Sequence, residues 1–264
     1  MLQPWRQAVA GFARKRTRSG GVEPSAGRSF VVAGRHEPIV VLIPGLWTPG
    51  WVMCPLAWRL RARGYRGVTF GYPSARSSLQ ENAERLAQFV DSLGEAPVYL
   101  VGHSLGGVLA LHATAHCALS RVRRIVMAGS PYSDSYTARK LGSRGWGRWM
   151  LGRTVPQWLA GERPSAPQGV DVGVIAGTVG CGLGLIVAPD IGPPHDGVIR
   201  VAETPVRGMA DYVEVRTSHA GILLSGRVAQ LVDAFLRWGR FEQAPKPTEA
   251  PTHGSPGLLG RERK

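Results

Sequence analysis

The sequence predicts an α/β chain: a doubly wound, mainly parallel sheet of about six strands with a short lid or cap insertion. Three observations carry this. Short β-branched or apolar runs alternate with helix-patterned stretches, as parallel strands joined by crossover helices require. The alternation fills one continuous body from about residue 37 to 241, with no internal repeat. A glycine-bracketed serine, in "LVGHSLGG" (100–107), falls where a strand run gives way to an apolar helix run.

Taken in order, "IVVLIP" (39–44) reads as a buried strand and "LAWRLRARG" (56–64) as a helix stopped by Gly64. "GVTFGYP" (67–73) is the next strand. "SLQENAERLAQFVDSLG" follows as a helix, with Ser78 or Ser77 near its start and Gly94 at its end. "VYLVG" (98–102) is the third strand, and the alanine-rich "GGVLALHATAHCAL" suits a helix buried against a sheet. "RRIVMAGSP" (123–131), "VDVGVIAG" (170–177) and "DYVEVRTS" (211–218) complete the strands, and the amphipathic "GRVAQLVDAFLRWG" closes the domain. Residues 132–169 hold several Trp and Arg and no strand-like run, which marks a lid or binding segment rather than a simple connector.

Composition bounds the function. Hydrophobic residues make up 44% of the chain, ample for a core. Cys54, Cys117 and Cys181 lie far apart, in no C-x-x-C arrangement, so neither a disulfide framework nor a structural zinc site is indicated. A reducing, cytoplasmic setting is expected, since no signal-peptide core follows the basic N-terminus. The apolar stretch 172–189 is dense in glycine and short for a membrane span, so it reads as a buried strand followed by a small-residue loop.

Of the net charge of +14, residues 1–36 carry seven basic groups against Glu23. This N-terminal arm is expected to be flexible and reads first as a solvated arginine-rich tail; the functional alternative is weak, salt-sensitive contact with an anionic membrane surface, which would make the protein peripheral to the membrane. No zinc-finger or RNA-binding signature supports nucleic acid as a partner. Residues 242–264, rich in Pro, Gly and charge, read as a second flexible tail.

The chemistry centres on Ser104. A strand-to-helix turn strains the serine backbone, Gly102 and Gly106 let strand and helix approach, and the helix N-terminus favours developing negative charge. The backbone N–H of Leu105 is placed to be one oxyanion donor, and the N–H of Leu46, in "IPGLWTPGW" after the first strand, the second. A base and an orienting acid must follow in the order acid, then histidine. "PHDGVIRV" places Asp196 after the fifth strand, and "VRTSHAGIL" places His219 after the sixth. Asp134, also after a strand, is the alternative acid, and Asp196 is preferred.

Other polar motifs are read structurally. His112 and His116 stand four apart on one helix face, without the glutamate of a zinc-hydrolase motif. His103 and His195 neighbour the proposed nucleophile and acid and receive no role. Gly180, Gly182 and Gly184 fail the dinucleotide spacing, so no cofactor and no metal is expected. Trp146, Trp149 and Trp158, with Met150 and Leu151, either face an acyl chain or cover the sheet; the sequence does not choose.

Together "IPGLW", "GHSLGG", "HDGVI" and "SHAGIL", in that order over about 200 residues, resemble the α/β-hydrolase superfamily, and within it the small bacterial lipases and esterases. Pro44-Gly45 stands where such lipases usually carry His-Gly, and a backbone donor needs no histidine. The resemblance implies that Ser104 attacks an ester carbonyl, His219 shuttles the proton and Asp196 fixes its tautomer. The implied substrate is a small-molecule ester or lipid. An acyltransferase sharing the same acyl-enzyme, and a binding protein that keeps the fold without catalysis, are the alternatives.

Overall fold

The computed structural model describes residues 37–241. The arm 1–36 and the tail 242–264 lie outside the described residues. Six strands form one fully parallel sheet: β1 (Ile39–Ile43), β2 (Arg66–Thr69), β3 (Val98–His103), β4 (Val122–Ala128), β5 (Asp171–Gly177) and β6 (Asp211–Val215). Their spatial order is β2-β1-β3-β4-β5-β6. Each strand matches an expected one, though β2, β4 and β6 end earlier than their apolar runs do, where the chain turns into loops above the sheet.

Period-two alternation sends successive strand residues to opposite faces. Val41, Ile43, Leu100, Ile125, Met127 and Val174 enter one core, and Val40, Leu42, Val101, Val126 and Ile175 enter the other. The second core is closed by α1 (Cys54–Arg61), with Leu56 and Leu60 inward. The first is closed by α2 (Leu79–Asp91) and α3 (Leu105–His116). At the start of α2, Ser78 and Glu81 form a reciprocal capping box, which selects Ser78 over Ser77 as its cap.

The 132–169 insertion folds into three short helices, α4 (Tyr136–Gly142), α5 (Gly145–Leu151) and α6 (Thr154–Ala160). They are tied down by buried polar contacts. Asn82 on α2 donates to Thr154 Oγ1 at 3.1 Å, and Thr154 in turn donates to the Ser77 carbonyl at 2.7 Å. At the other end, Glu203 accepts the Tyr136 N–H at 2.7 Å.

After β5 the chain runs through a loop and α7 (Gly184–Val187), so the apolar 172–189 stretch is a buried strand with a loop behind it. Among the described residues, no helix is long and apolar enough to cross a membrane. Past β6 come α8 (Gly221–Leu224) and α9 (Gly226–Trp238). Val228, Leu231, Val232 and Phe235 of α9 pack against the sheet. Cys54, Cys117 and Cys181 are unpaired.

Phe235 is the largest fully buried side chain, and its ring lies against β5 where Gly173 has no side chain. Phe235→Ala should therefore cost about 3–5 kcal/mol, because the strand and helix backbones cannot close on the hole. A fall in unfolding free energy of that size, read from a lower urea midpoint at unchanged m-value, is the expected outcome; a change below about 1 kcal/mol would show that this contact does not hold α9 to the sheet.

Candidate active site

In an open parallel sheet, ligands bind beyond the carboxyl ends of the strands, where the strand order reverses. Here the chain goes from β1 outward to β2 and then returns to β3 on the other side, so the reversal lies between β1 and β3. The loop after β1 carries Gly45 and Leu46, and the turn after β3 carries Ser104.

Ser104 has φ 54° and ψ −126°, a conformation that side-chain-bearing residues rarely adopt and that costs about 1–3 kcal/mol. Its surroundings hold it there. A Cβ on Gly102 would collide with the Gly106–Gly107 backbone, and one on Gly106 would collide with the backbone of Ile43 and Pro44. The Ser104 N–H donates to the Ala128 carbonyl at 3.1 Å, fixing the turn to the end of β4. A Cβ on Gly45 would stand 3.0 Å from Ser104 Cβ and 3.5 Å from its Oγ, so the β1 loop passes directly beside the hydroxyl. Leu46 and Leu105 both line the cavity containing Ser104. Among the described residues, neither of their N–H groups has an acceptor.

His219 lies in the turn between β6 and α8, and its Nδ1 is 2.7 Å from Asp196 Oδ2. Asp196 is only 1% exposed, and a buried carboxylate must be matched by hydrogen-bond donors. Its other oxygen accepts the N–H groups of Val198 at 2.9 Å and Ile199 at 2.7 Å. The two loops are also joined through their backbones, His219 N–H donating to the Asp196 carbonyl at 2.8 Å. Asp134 takes no part in this arrangement; it pairs with Arg139 at 2.6 Å on the lid. Ser104, His219, Leu46 and Leu105 thus line one cavity, with Asp196 beneath His219. No hydrogen bond joins Ser104 Oγ to His219 in this structure, and such contacts commonly tighten only with substrate.

The cavity measures about 360 Å³. Leu141, Leu151, Val155 and Trp158 of the lid cover it, facing Val52 and Leu223 from the body, and no Asp, Glu, Lys or Arg is among its lining residues. The lid tryptophans divide: Trp158 is buried and lines the cavity, whereas Trp146 and Trp149 are 56% and 76% exposed. Met150 presents its carbonyl to the Trp47 indole N–H at 2.6 Å.

His103 is the residue that sequence reasoning passed over. It is buried, its ring centre is 4.6 Å from that of His219, and its Nε2–H donates to the His219 carbonyl at 3.0 Å. The signal was present: His103 alternates with Val101 along β3, and Val101 belongs to the core beneath the His219 turn. His195, by contrast, accepts the Gly197 N–H at 3.1 Å and only shapes the acid loop. The His112 and His116 rings lie tilted with centres 4.3 Å apart on α3, with His112 near Gln80. Among the described residues, no group of three or more His, Cys, Asp or Glu could hold a metal ion.

Burial, reinforced by the nearby His219, pushes His103 down from 6.5 to about 3. Its Nδ1 has no donor facing it, so the ring is a neutral spacer whose Nε2 carries the proton. Because the folded value is depressed, stability from this group is complete above about pH 6.5 and is lost as pH falls toward about 3. The loss should approach about 1.4 kcal/mol per pH unit within that window. Urea titrations at several pH values should show a shallower acid slope for His103→Gln; an identical slope would mean that His103 takes up its proton without unfolding.

A family model of the alpha/beta hydrolase family matches residues 40–261. Solved structures similar to this one include a metagenomic carboxyl esterase, 16% identical with a TM-score of 0.55, covering 76% of this chain and 75% of that one. An enol-lactonase from Burkholderia xenovorans is 17% identical with a TM-score of 0.52, covering 76% of this chain and 91% of its own. The type II thioesterase BorB from the borrelidin biosynthetic cluster is 16% identical with a TM-score of 0.51, covering 77% and 92%. At these identities the likeness is one of fold. No curated protein matches the sequence. With the family model spanning most of the chain and the sheet, crossovers and strand-end loops in place, the protein belongs to the alpha/beta hydrolase family.

Proposed function

We propose that the protein is a serine hydrolase cleaving carboxylic esters through an acyl-enzyme on Ser104. The observation that carries this reading is the buried Asp196–His219 pair, 2.7 Å apart, opening onto the same cavity as a serine held at positive φ. A hydroxyl is a weak nucleophile until a base removes its proton. His219 Nε2 is that base, and Asp196, accepting from Nδ1–H, keeps Nε2 unprotonated and stabilises the imidazolium that forms. As Ser104 Oγ bonds to the carbonyl carbon, negative charge develops on the carbonyl oxygen. The N–H groups of Leu46 and Leu105 receive it, aided by the N-terminus of α3. His219 then returns the proton to the leaving alcohol, and water, deprotonated by the same histidine, releases the acid.

The cavity narrows the substrate. A lining without charged side chains, closed by Leu141, Leu151, Val155 and Trp158, suits an uncharged apolar acyl group. An acyl group bearing a carboxylate or ammonium would enter without a counter-charge. The similar structures, a carboxyl esterase, an enol-lactonase and a thioesterase, agree with acyl cleavage as the reaction class.

The test is fluorophosphonate labelling together with turnover of a short p-nitrophenyl ester. Wild type should label and turn over with the free acid as product, and Ser104→Ala should do neither. Asp196→Asn should keep the fold and lower kcat by about 10³–10⁴, because His219 is left in the wrong tautomer. Equal labelling of wild type and Ser104→Ala, or no turnover of any ester by wild type, would remove the proposal.

A further inference from the structure

Around the mouth of the cavity the protein shows large aromatic side chains to solvent. Trp47 and Trp51 alternate with the cavity-lining Leu46, Thr48 and Val52 but turn outward, 50% and 71% exposed. On the lid, α5 buries Gly147 and Leu151 and presents Trp146 and Trp149 on its outer side. Trp47 and Trp149 join the two sets. The Trp47 ring lies 6.0 Å from Trp149, and its indole N–H is bonded to the Met150 carbonyl.

Charge accompanies the patch. Residues 135–161 carry five basic side chains and no carboxylate of their own; Arg139, Lys140 and Arg153 pair with Asp134, Asp190 and Glu81 from outside that segment. Arg144 and Arg148 flank the exposed tryptophans on α5 and, among the described residues, form no ion pair. Behind them a shallow groove of about 470 Å³ runs over the outer lid, bordered by Arg139 and Arg148 and floored by apolar side chains.

From this we infer that the lid face is a docking surface for an anionic phospholipid bilayer. Tryptophan favours the headgroup boundary, where its ring is half solvated, and arginines beside it meet lipid phosphates while their stems lie along apolar surface. A second copy of the chain does not fit the same patch, since pairing would set the uncompensated Arg144 and Arg148 of each copy against those of the other. The orientation has a consequence for access: the cavity mouth beside Trp47 faces the bilayer, the phase in which an apolar ester dissolves. The docking itself does not require Ser104, so its failure and a failure of the ester-hydrolase reading are separate results.

Co-sedimentation of the full chain with phosphatidylcholine vesicles, with and without phosphatidylglycerol, tests this. Wild type should partition onto the anionic vesicles and only weakly onto the neutral ones, with binding reduced by salt. The double variants Trp146→Ala/Trp149→Ala and Arg144→Glu/Arg148→Glu should each weaken partitioning by about tenfold or more, with melting temperatures close to wild type because all four side chains are at the surface. All of these proteins retain the basic residues 1–36. Binding carried by that arm alone would survive both double substitutions and overturn the proposal, as would equal binding of wild type to neutral and anionic vesicles.

Discussion

Ser104 can occupy its turn because three backbone segments touch there without side chains between them. The end of β3 meets the start of α3 at Gly102 and Gly106, and Gly106 in turn meets the end of β1 at Ile43 and Pro44. Any side chain at either glycine would push the helix off the sheet, and the serine would relax out of its positive-φ conformation. The same contact brings the β1 loop beside the hydroxyl at Gly45. It thereby sets on the cavity lined by Ser104 two N–H groups, from Leu46 and Leu105, that have no acceptor among the described residues. Strain at one residue is thus maintained by packing spread over several, and the energy comes from the apolar layers on both faces of the sheet.

The acid and histidine loops depend on this frame less directly. Asp196 and His219 come from loops after β5 and β6, two and three strands away from β3, yet they reach the centre because the ends of β4 and β5 are kept clear by Gly129 and Gly177. A Cβ at Gly177 would fall 2.8 Å from Asp196 Cβ, and one at Gly129 would crowd both Asp196 Oδ2 and His219 Nδ1. Once inside, the carboxylate is held by two backbone N–H groups and the imidazole. Removing any one donor leaves a buried charge short of a partner, so the pair behaves as a rigid unit.

How much of this could be read beforehand follows from the range of each interaction. Strand and helix positions were legible because their apolar periodicities are local, and the capping box at Ser78 and Glu81 is local too. Ser104 was legible because the elbow constrains neighbouring residues, and the glycines that permit the close approach sit within two positions of it. Asp196 needed a choice against Asp134, since both follow strands, and the "DGV" run shared with the resembling enzymes favoured Asp196; the tertiary path sends Asp134 into an ion pair with Arg139 instead. His103 was missed by treating neighbours of a functional residue as pointing away. At the end of a strand that assumption fails, because alternation aims every second side chain at the same face. The fate of the lid tryptophans was not legible, since the 132–169 segment forms helices too short for periodicity to decide which side faces the cavity.

That lid has three environments, and the side chains sort among them by chemistry. Its apolar groups, Leu141, Leu151, Val155 and Trp158, turn toward the cavity, where an unpaired charge would have no counter-ion. Its ends are fastened by polar bonds, Asn82 to Thr154 and the Tyr136 N–H to Glu203, which fix its position without occupying the cavity. Its basic groups and two tryptophans are left for the outside. A connector under no constraint beyond linking β4 to β5 would need neither the apolar inner surface nor so one-sided a charge. The sorting places apolar surface on the cavity that holds Ser104 and cationic, aromatic surface on the solvent side of the lid. The polarity of the cavity and the charge of the outer face can therefore change independently, by substitutions at different positions of the same short helices.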